Sequence, residues 1–274
     1  MRPIKTISLA PAVNNWLTTS RHPGILHVFE HACNLINERR EVLSVVTPQI
    51  GNGPFNLVVE NTVLFSEHLD QHSSIAVQPK RLKVGALEIF VDYAKMWKPR
   101  PNWVNLHAQR NKFLSPLLQF PISNSLFPSK LTSAFSSALV NLDIPTALSI
   151  TRQIAGLGQG LTPAGDDYIL GALYAVWIIH PPEIAYSFAK EIVDTAAPST
   201  TSLSAAWLRA AERGKAGVLW HEFFDALDKG ENSNIQLQIQ KLLSVGETSG
   251  ADALAGFLDI IISFMERETN PCPS

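Results

Sequence analysis

The sequence predicts an α+β protein, in which a strand-rich N-terminal part precedes a helical C-terminal part. Runs rich in β-branched and aromatic residues are concentrated in the first hundred positions, and such runs are typical of strands. From Asn105 onward, apolar residues recur at helical spacing and prolines separate the segments. Strands followed by a series of helices favour an α+β class over a doubly wound sheet. We therefore predict a strand-rich domain over residues 1–100 and a helical domain over residues 101–274.

The N-terminal part is predicted to contain one early helix and several strands. Residues 24–37 carry apolar side chains at helical spacing, among them Ile25, Val28 and Ala32, and this pattern predicts a helix. The sequence Gly51-Asn-Gly-Pro54 has the composition of a turn between two strands. Strands are predicted over residues 42–46, 57–65, 75–77 and 87–91.

The C-terminal part is predicted to be entirely helical. Apolar periodicity, proline punctuation and capping residues set the ends of the segments. Helices are predicted near residues 130–141, 145–154, 163–179, 183–196, 201–213, 217–228, 234–244 and 250–267.

Composition excludes several classes of function. The formal net charge of −2 and the lack of a dense Lys/Arg run give no electrostatic footprint for nucleic acid. Two cysteines, Cys33 and Cys272, are too few for a disulfide framework or a cysteine-built zinc site. The longest apolar helix stops at His180 and is too short to span a bilayer. We expect a cytoplasmic protein with no membrane or nucleic-acid partner.

One glycine-rich stretch carries most of the functional information. Residues 156–171 read GLGQGLTPAGDDYILG and lead directly into an apolar helix. Glycine allows close approach of backbone to a ligand, and Thr162-Pro163 is typical of a helix cap followed by the first helical residue. A helix start of this kind offers N–H groups and a positive dipole end to an anion. No βαβ unit surrounds the stretch and no Gly-Lys-Ser/Thr follows it, so it matches neither a Rossmann motif nor a P-loop.

A second, shorter motif repeats the same spacing. Residues 246–256 read GETSGADALAG, and both stretches contain Gly-x-Asp-x-apolar-x-Gly. Glycine inside a helix costs on the order of 1 kcal/mol relative to alanine. The in-helix positions Gly171 and Gly256 therefore indicate that two helices cross there at close range, which would bring the two motifs together at one end.

The acidic residues of the two motifs are the predicted catalytic groups. Asp166 and Asp167 lie in the first turn of one helix, and Asp252 matches Asp167 in the other. Acids in a first turn also simply complement the helix dipole. Paired carboxylates from two helix starts could instead hold Mg²⁺ or accept hydrogen bonds from an amide or ammonium group. We predict that Asp167 and Asp252 are catalytic and expect no cofactor, with Mg²⁺ as the alternative.

A cluster of hydroxyl side chains marks a third polar helix start. Thr200, Thr201 and Ser202 precede an apolar helix, and such residues are either ordinary caps or ligands for a phosphate or carboxylate. We predict a small anionic substrate at the convergence of the three helix starts. The predicted binding residues are Gly158, Gly160, Thr162, Gly165, Asp166, Thr200, Thr201, Ser202, Thr248, Ser249 and Gly250.

These motifs together resemble the AllH-type family over nearly the whole chain. The resemblance rests on Gly-x-Gly-x-Gly-Leu-Thr-Pro-x-Gly-Asp-Asp, the later Thr-Ser-Gly-x-Asp, the Thr-Thr-Ser-Leu-Ser segment and Gly51-Asn-Gly-Pro54. It implies a subunit of oxamate carbamoyltransferase, which interconverts oxalurate and phosphate with oxamate and carbamoyl phosphate in allantoin breakdown. It also implies an FdrA-like partner and a second companion subunit. The Ser-x-Arg-Thr motif of carbamoyltransferases that bind carbamoyl phosphate does not occur in the chain.

Two other functions remain open from the sequence. The chain could be an accessory subunit whose glycine motifs serve helix packing and partner docking. It could also be a nucleotide-using enzyme with Mg²⁺ between Asp167 and Asp252. No nucleophile–base–acid set is evident, so the sequence leaves open whether the chain is itself catalytic.

Overall fold

The computed structural model describes residues 2–60, 63–117, 129–230 and 232–269, and it confirms the predicted α+β class. The described residues form two compact units. The first contains the chain up to Pro99 together with Ala216–Val218, and the second contains the remainder from Arg100 onward.

One mixed sheet forms the framework of the first unit. Its order is β2-β3-β4-β5-β1-β8-β7-β6, and β9 also pairs with β1. The pairs β1–β8, β1–β9 and β4–β5 are parallel, and the other pairs are antiparallel. The strands are β1 (Arg2–Leu9), β2 (Gly24–Val28), β3 (Ala32–Ile36), β4 (Val42–Val46), β5 (Asn56–Val59), β6 (Ile75–Gln78), β7 (Arg81–Val84), β8 (Leu87–Phe90) and β9 (Lys95–Met96).

The core of the first unit is apolar and includes one helix. Helix α1 (Pro11–Thr19) buries Trp16, whose indole Nε1 donates to the carbonyl of Glu41 at 2.9 Å. The core also contains Leu35, Val45 and Leu57 from successive strands of the sheet. Burial of apolar side chains, at roughly 25 cal/mol per Å², is the main force that holds such a unit together.

The prediction of a helix over residues 24–37 is wrong. These residues form the hairpin β2–β3, which is followed by β4 in antiparallel pairing. Strand β3 is buried at Cys33, Asn34 and Leu35 in succession, so it lacks the alternation by which a half-buried strand is recognised. The early helix of the chain is α1 instead, and a proline occupies its first turn. The predicted strand 57–65 ends at Val59, and positions 61 and 62 lie outside the described residues.

Helices make up the second unit, and each of the eight helices predicted for it is confirmed, with small shifts at the ends. Two short segments before them were not predicted. The helices are α2 (Trp103–Gln109), α3 (Leu114–Leu117), α4 (Ser129–Asn141), α5 (Ile144–Ile154), α6 (Ala164–Ile179), α7 (Pro182–Ala196), α8 (Ser202–Glu212), α9 (Val218–Lys229), α10 (Asn232–Leu243) and α11 (Ser249–Thr269).

Helix α6 lies at the centre of the second unit. Every residue of α6 except Ala164 and Leu170 is buried, and a helix that is apolar all round requires neighbours on every side. Its main neighbour is α11. Among the described residues, no helix combines the length and the apolar character needed to cross a bilayer.

Two glycines allow α6 and α11 to cross with their backbones in contact, as the sequence predicted. A Cβ atom at Gly171 would overlap the carbonyl of Ala253 on α11, and one at Gly256 would overlap the carbonyl of Tyr168 on α6. Both obstacles are main-chain atoms, which cannot rotate away as a side chain can. The crossing therefore requires glycine at both positions.

We expect Gly171→Ala and Gly256→Ala each to destabilise the protein by about 3 kcal/mol or more, because the added methyl group pushes two helix backbones apart. Urea denaturation of the purified variants measures this loss. The matched control is Gly24→Ala, since no atom lies within 4 Å of a Cβ at Gly24. Stability of the two helix variants equal to that of the control would contradict the close crossing.

Candidate functional site

The two glycine–aspartate motifs adopt the same local structure. The N–H of Gly165 donates to the carbonyl of Leu157 at 2.9 Å, and the N–H of Gly250 donates to the carbonyl of Val245 at 3.0 Å. Each glycine also lies against the last turn of the preceding helix, where a Cβ would overlap a carbonyl oxygen. The shared spacing in the sequence therefore reflects a structural repeat of helix, loop and helix.

The repeat places Asp167 and Asp252 at equivalent positions, each as the fourth residue of its helix. The two loops also meet in space, because the hydroxyl oxygens of Thr162 and Ser249 share a hydrogen bond of 2.9 Å. The sequence predicted this convergence. It follows from the crossing of α6 and α11, which brings the starts of both helices to one end.

The third polar helix start joins the same cluster. The hydroxyl of Thr201 donates to the carbonyl of Leu161 in the glycine-rich loop at 2.6 Å. The same hydroxyl caps α8 by accepting the N–H of Ser204 at 3.1 Å. Ser202 is the first residue of α8, and Thr248 lies exposed one residue before α11.

Asp166 connects three segments of the chain. Its Oδ1 accepts the N–H of Gly156 at 2.8 Å. Its Oδ2 accepts the hydroxyl of Ser204 at 2.9 Å and also that of Thr200. Both oxygens of this buried carboxyl group are therefore satisfied within the protein. Ser204 belongs to the Thr-Thr-Ser-Leu-Ser segment of the sequence, but it was not among the predicted binding residues.

Asp167 and Asp252 differ from Asp166, because each has an oxygen without a partner. Asp167 is 6% exposed and Asp252 is 5% exposed, and the Oδ2 atom of each is buried with no hydrogen bond. Burial raises the pKa of Asp167 to about 7, helped by the charges of Asp252 and Asp166 and opposed by the hydroxyls of Ser249 and Thr162. Burial also raises the pKa of Asp252, and a hydrogen bond from Thr248 opposes this rise.

The glycine-rich loop before α6 supplies exposed backbone N–H groups. Gly158 and Gly160 are exposed and have φ angles of 120° and 92°, which only glycine adopts without strain. Among the hydrogen bonds of the described residues, neither glycine uses its N–H as a donor.

The start of α6 offers fewer donors than the sequence suggested. The N–H groups of Asp166 and Asp167 both bond to the carbonyl of Pro163, and that of Gly165 bonds within the loop. The predicted cap is also wrong, since Pro163 occupies the cap position and Thr162 bonds to Ser249 instead. The helix dipole remains, but most of the donors in this first turn are already used.

In the part of the chain that the structure describes, no three or more His, Cys, Asp or Glu side chains are placed to hold a metal ion. Asp167 and Asp252 have the oxygen chemistry that Mg²⁺ prefers, but they form a pair rather than a larger set.

We expect Asp167→Asn to stabilise the protein at neutral and alkaline pH. A carboxyl group whose folded pKa is raised contributes stability below its unfolded pKa, near 4, and loses it as pH rises through the folded pKa of about 7. Asparagine carries no charge, so the variant should gain about 1–3 kcal/mol at pH 8 and nothing at pH 4. Urea denaturation at both pH values measures the difference.

The contrasting variant is Asp166→Ala. Removal of the Asp166 carboxyl group leaves the Gly156 N–H and two hydroxyl groups without their acceptor. We therefore expect the free energy of unfolding to fall by at least about 2 kcal/mol at both pH values. If Asp167→Asn is destabilising at pH 8 to a similar extent, Asp167 has a structural role of the same kind.

Two family models match the chain. A family model described as oxamate carbamoyltransferase subunit AllH matches residues 154–261, a range that contains both glycine–aspartate motifs and the start of α8. A model of the AllH family N-terminal domain matches residues 5–96. No solved structure matches the chain. The two matches together span most of the sequence, and the chain belongs to the AllH family.

Proposed function

We propose that this chain is a subunit of an enzyme that interconverts oxalurate and phosphate with oxamate and carbamoyl phosphate, and that the convergent cluster is its substrate site. The observation that carries the proposal is the hydrogen bond between Thr162 and Ser249. It joins two distant motifs in a polar cluster within the range matched by the carbamoyltransferase subunit family. A cytoplasmic location and a role in allantoin breakdown are part of the same proposal.

The substrate contacts are divided between backbone and side chains. Oxalurate and oxamate each carry a carboxylate, and the unused N–H groups of Gly158 and Gly160 could donate hydrogen bonds to it. The dipole of α6 adds a favourable field for that charge. Asp167 and Asp252 are the proposed catalytic groups, whereas the contacts of Asp166 support a positioning role for that residue.

Among the described residues, no Lys, Arg or His side chain forms an ion pair with a carboxyl group of the cluster, whether that of Asp166, Asp167 or Asp252. We therefore propose that companion subunits, one of them FdrA-like, complete the site. Leu157 and Val245 flank the cluster at equivalent positions of the repeat and are 51% and 39% exposed. Exposed apolar groups at such a place suit a subunit contact that excludes water from the reaction.

Two alternatives each have one supporting observation. The close crossing at Gly171 and Gly256 is also what an accessory subunit would need for packing alone. The unpartnered oxygens of Asp167 and Asp252 would equally suit a Mg²⁺ ion in a nucleotide-using enzyme. We favour the carbamoyl-transfer function because it accounts for the family and the cluster together.

We predict that the isolated chain has little or no transferase activity and that companion subunits restore it. The physical reason is that the carboxyl groups of the cluster have no ion-pair partner among the described residues, so we expect a companion subunit to supply the positive charge for phosphate. The experiment combines the purified chain with each companion, singly and together, and follows phosphate-dependent cleavage of oxalurate. Addition of EDTA, and of Mg²⁺ with ATP, tests the nucleotide alternative in the same assay.

Leu157→Glu should lower the activity of the assembled complex about tenfold or more by weakening subunit contact. The control is Leu237→Glu, an equally exposed leucine on α10. Full turnover by the isolated chain would rule out a shared site, and full activity of the companions without the chain would make it an accessory.

A further inference from the structure

The two unpartnered carboxyl oxygens identify the kind of group that the site binds. Oδ2 of Asp167 and Oδ2 of Asp252 are buried, lack a hydrogen bond and occupy equivalent positions of the repeat. A buried oxygen without a donor costs about 1–3 kcal/mol, and more if the group is charged. The same cost at both equivalent positions suggests that a ligand supplies the donors.

The carboxyl groups of Asp167 and Asp252 both lie near the protein surface, so a ligand can reach them from solvent. Thr248, whose hydroxyl lowers the pKa of Asp252, is exposed, and Thr162 and Ser249, whose hydroxyls lower the pKa of Asp167, are half-buried. Each carboxyl group therefore lies one side chain away from solvent.

The surroundings disfavour a phosphate ion next to these oxygens. Two carboxyl groups repel an anion, and the N–H groups of Gly165 and Gly250, which could have compensated, already donate to Leu157 and Val245. A neutral group rich in N–H donors is favoured by the same two carboxyl groups, because each N–H can donate to one free oxygen. A ureido group, with an internal N–H beside a terminal NH₂, has this composition.

We propose that the carboxyl groups of Asp167 and Asp252 hold the ureido end of oxalurate through its N–H groups, that Asp167 protonates the nitrogen that leaves, and that phosphate is bound by a companion subunit. This inference rests on the proposed function and adds to it a division of the substrates between subunits.

The proposed reaction transfers the carbamoyl group from the internal nitrogen of oxalurate to an oxygen of phosphate. An oxygen of hydrogen phosphate attacks the carbamoyl carbon, the bond from that carbon to the internal nitrogen breaks, and the electron pair stays on nitrogen. Asp167 gives this nitrogen its proton, which yields oxamate and carbamoyl phosphate. The proton of hydrogen phosphate then returns to Asp167.

The environments of the two carboxyl groups suit different roles, with Asp167 as the proton donor and Asp252 as the hydrogen-bond acceptor. Burial, helped by the charges of Asp252 and Asp166, raises the pKa of Asp167 to about 7, so this group is partly protonated at neutral pH. Asp252 is next to the exposed Thr248 and serves as the acceptor. A general acid works best when its pKa lies near the working pH.

The test uses the assembled complex with Asp252→Asn and Asp167→Asn, and with Asp225→Asn as an exposed control. Asp252→Asn should raise KM for oxalurate about tenfold or more and leave KM for phosphate unchanged. Asp167→Asn should lower kcat about 100-fold or more. It should also abolish the fall in wild-type kcat as pH rises through about 7.

Calorimetry of the full isolated chain provides an independent measurement. We expect oxalurate to bind, Asp252→Asn to weaken this binding, and inorganic phosphate not to bind. A rise in KM for phosphate instead of oxalurate, or an unchanged pH profile in Asp167→Asn, overturns the inference while the proposed function stands. A wild-type complex that does not cleave oxalurate with phosphate overturns the proposed function itself.

Discussion

The backbone contact between α6 and α11 is the constraint on which the site depends. Main-chain carbonyls fill the space that side chains at Gly171 and Gly256 would need. Because the two helix backbones are in contact, the starts of α6 and α11 lie at the same end of the helix pair, and Thr162 and Ser249 can share a hydrogen bond. A larger residue at either glycine would push α6 and α11 apart, and this would in turn change the geometry of the cluster.

That arrangement places carboxyl groups where folding alone would not favour them. Asp166 is fully bonded and holds the glycine-rich loop to α8, so its burial is compensated. Asp167 and Asp252 each keep one unpaired oxygen, and burial raises the pKa of both. Groups left in this condition are typical of functional sites, where stability is given up for a prepared environment. The contrast between Asp166 and Asp167 separates a fully bonded aspartate from one with an unpaired oxygen, although they are adjacent in sequence.

The helical unit could be predicted from the sequence, whereas parts of the sheet could not. Long amphipathic helices with caps leave a clear periodicity, and the repeated glycine–aspartate spacing indicated both the crossing at Gly171 and Gly256 and the convergence of the motifs. Strand β3 was mistaken for a helix because it is buried on both faces. The satisfied state of Asp166 and the used N–H of Gly165 depend on contacts with distant segments, and no local pattern encodes such contacts.

In the proposed site, Asp167 and Asp252 meet the N–H groups of a ureido substrate while Asp166 does not. The most direct measurement is ¹³C NMR of the aspartate carboxyl groups during titration with oxalurate. We expect the Asp167 and Asp252 signals to shift and their titration with pH to change, whereas the Asp166 signal should be unaffected. Unchanged signals of Asp167 and Asp252 at saturating oxalurate would contradict the proposed site.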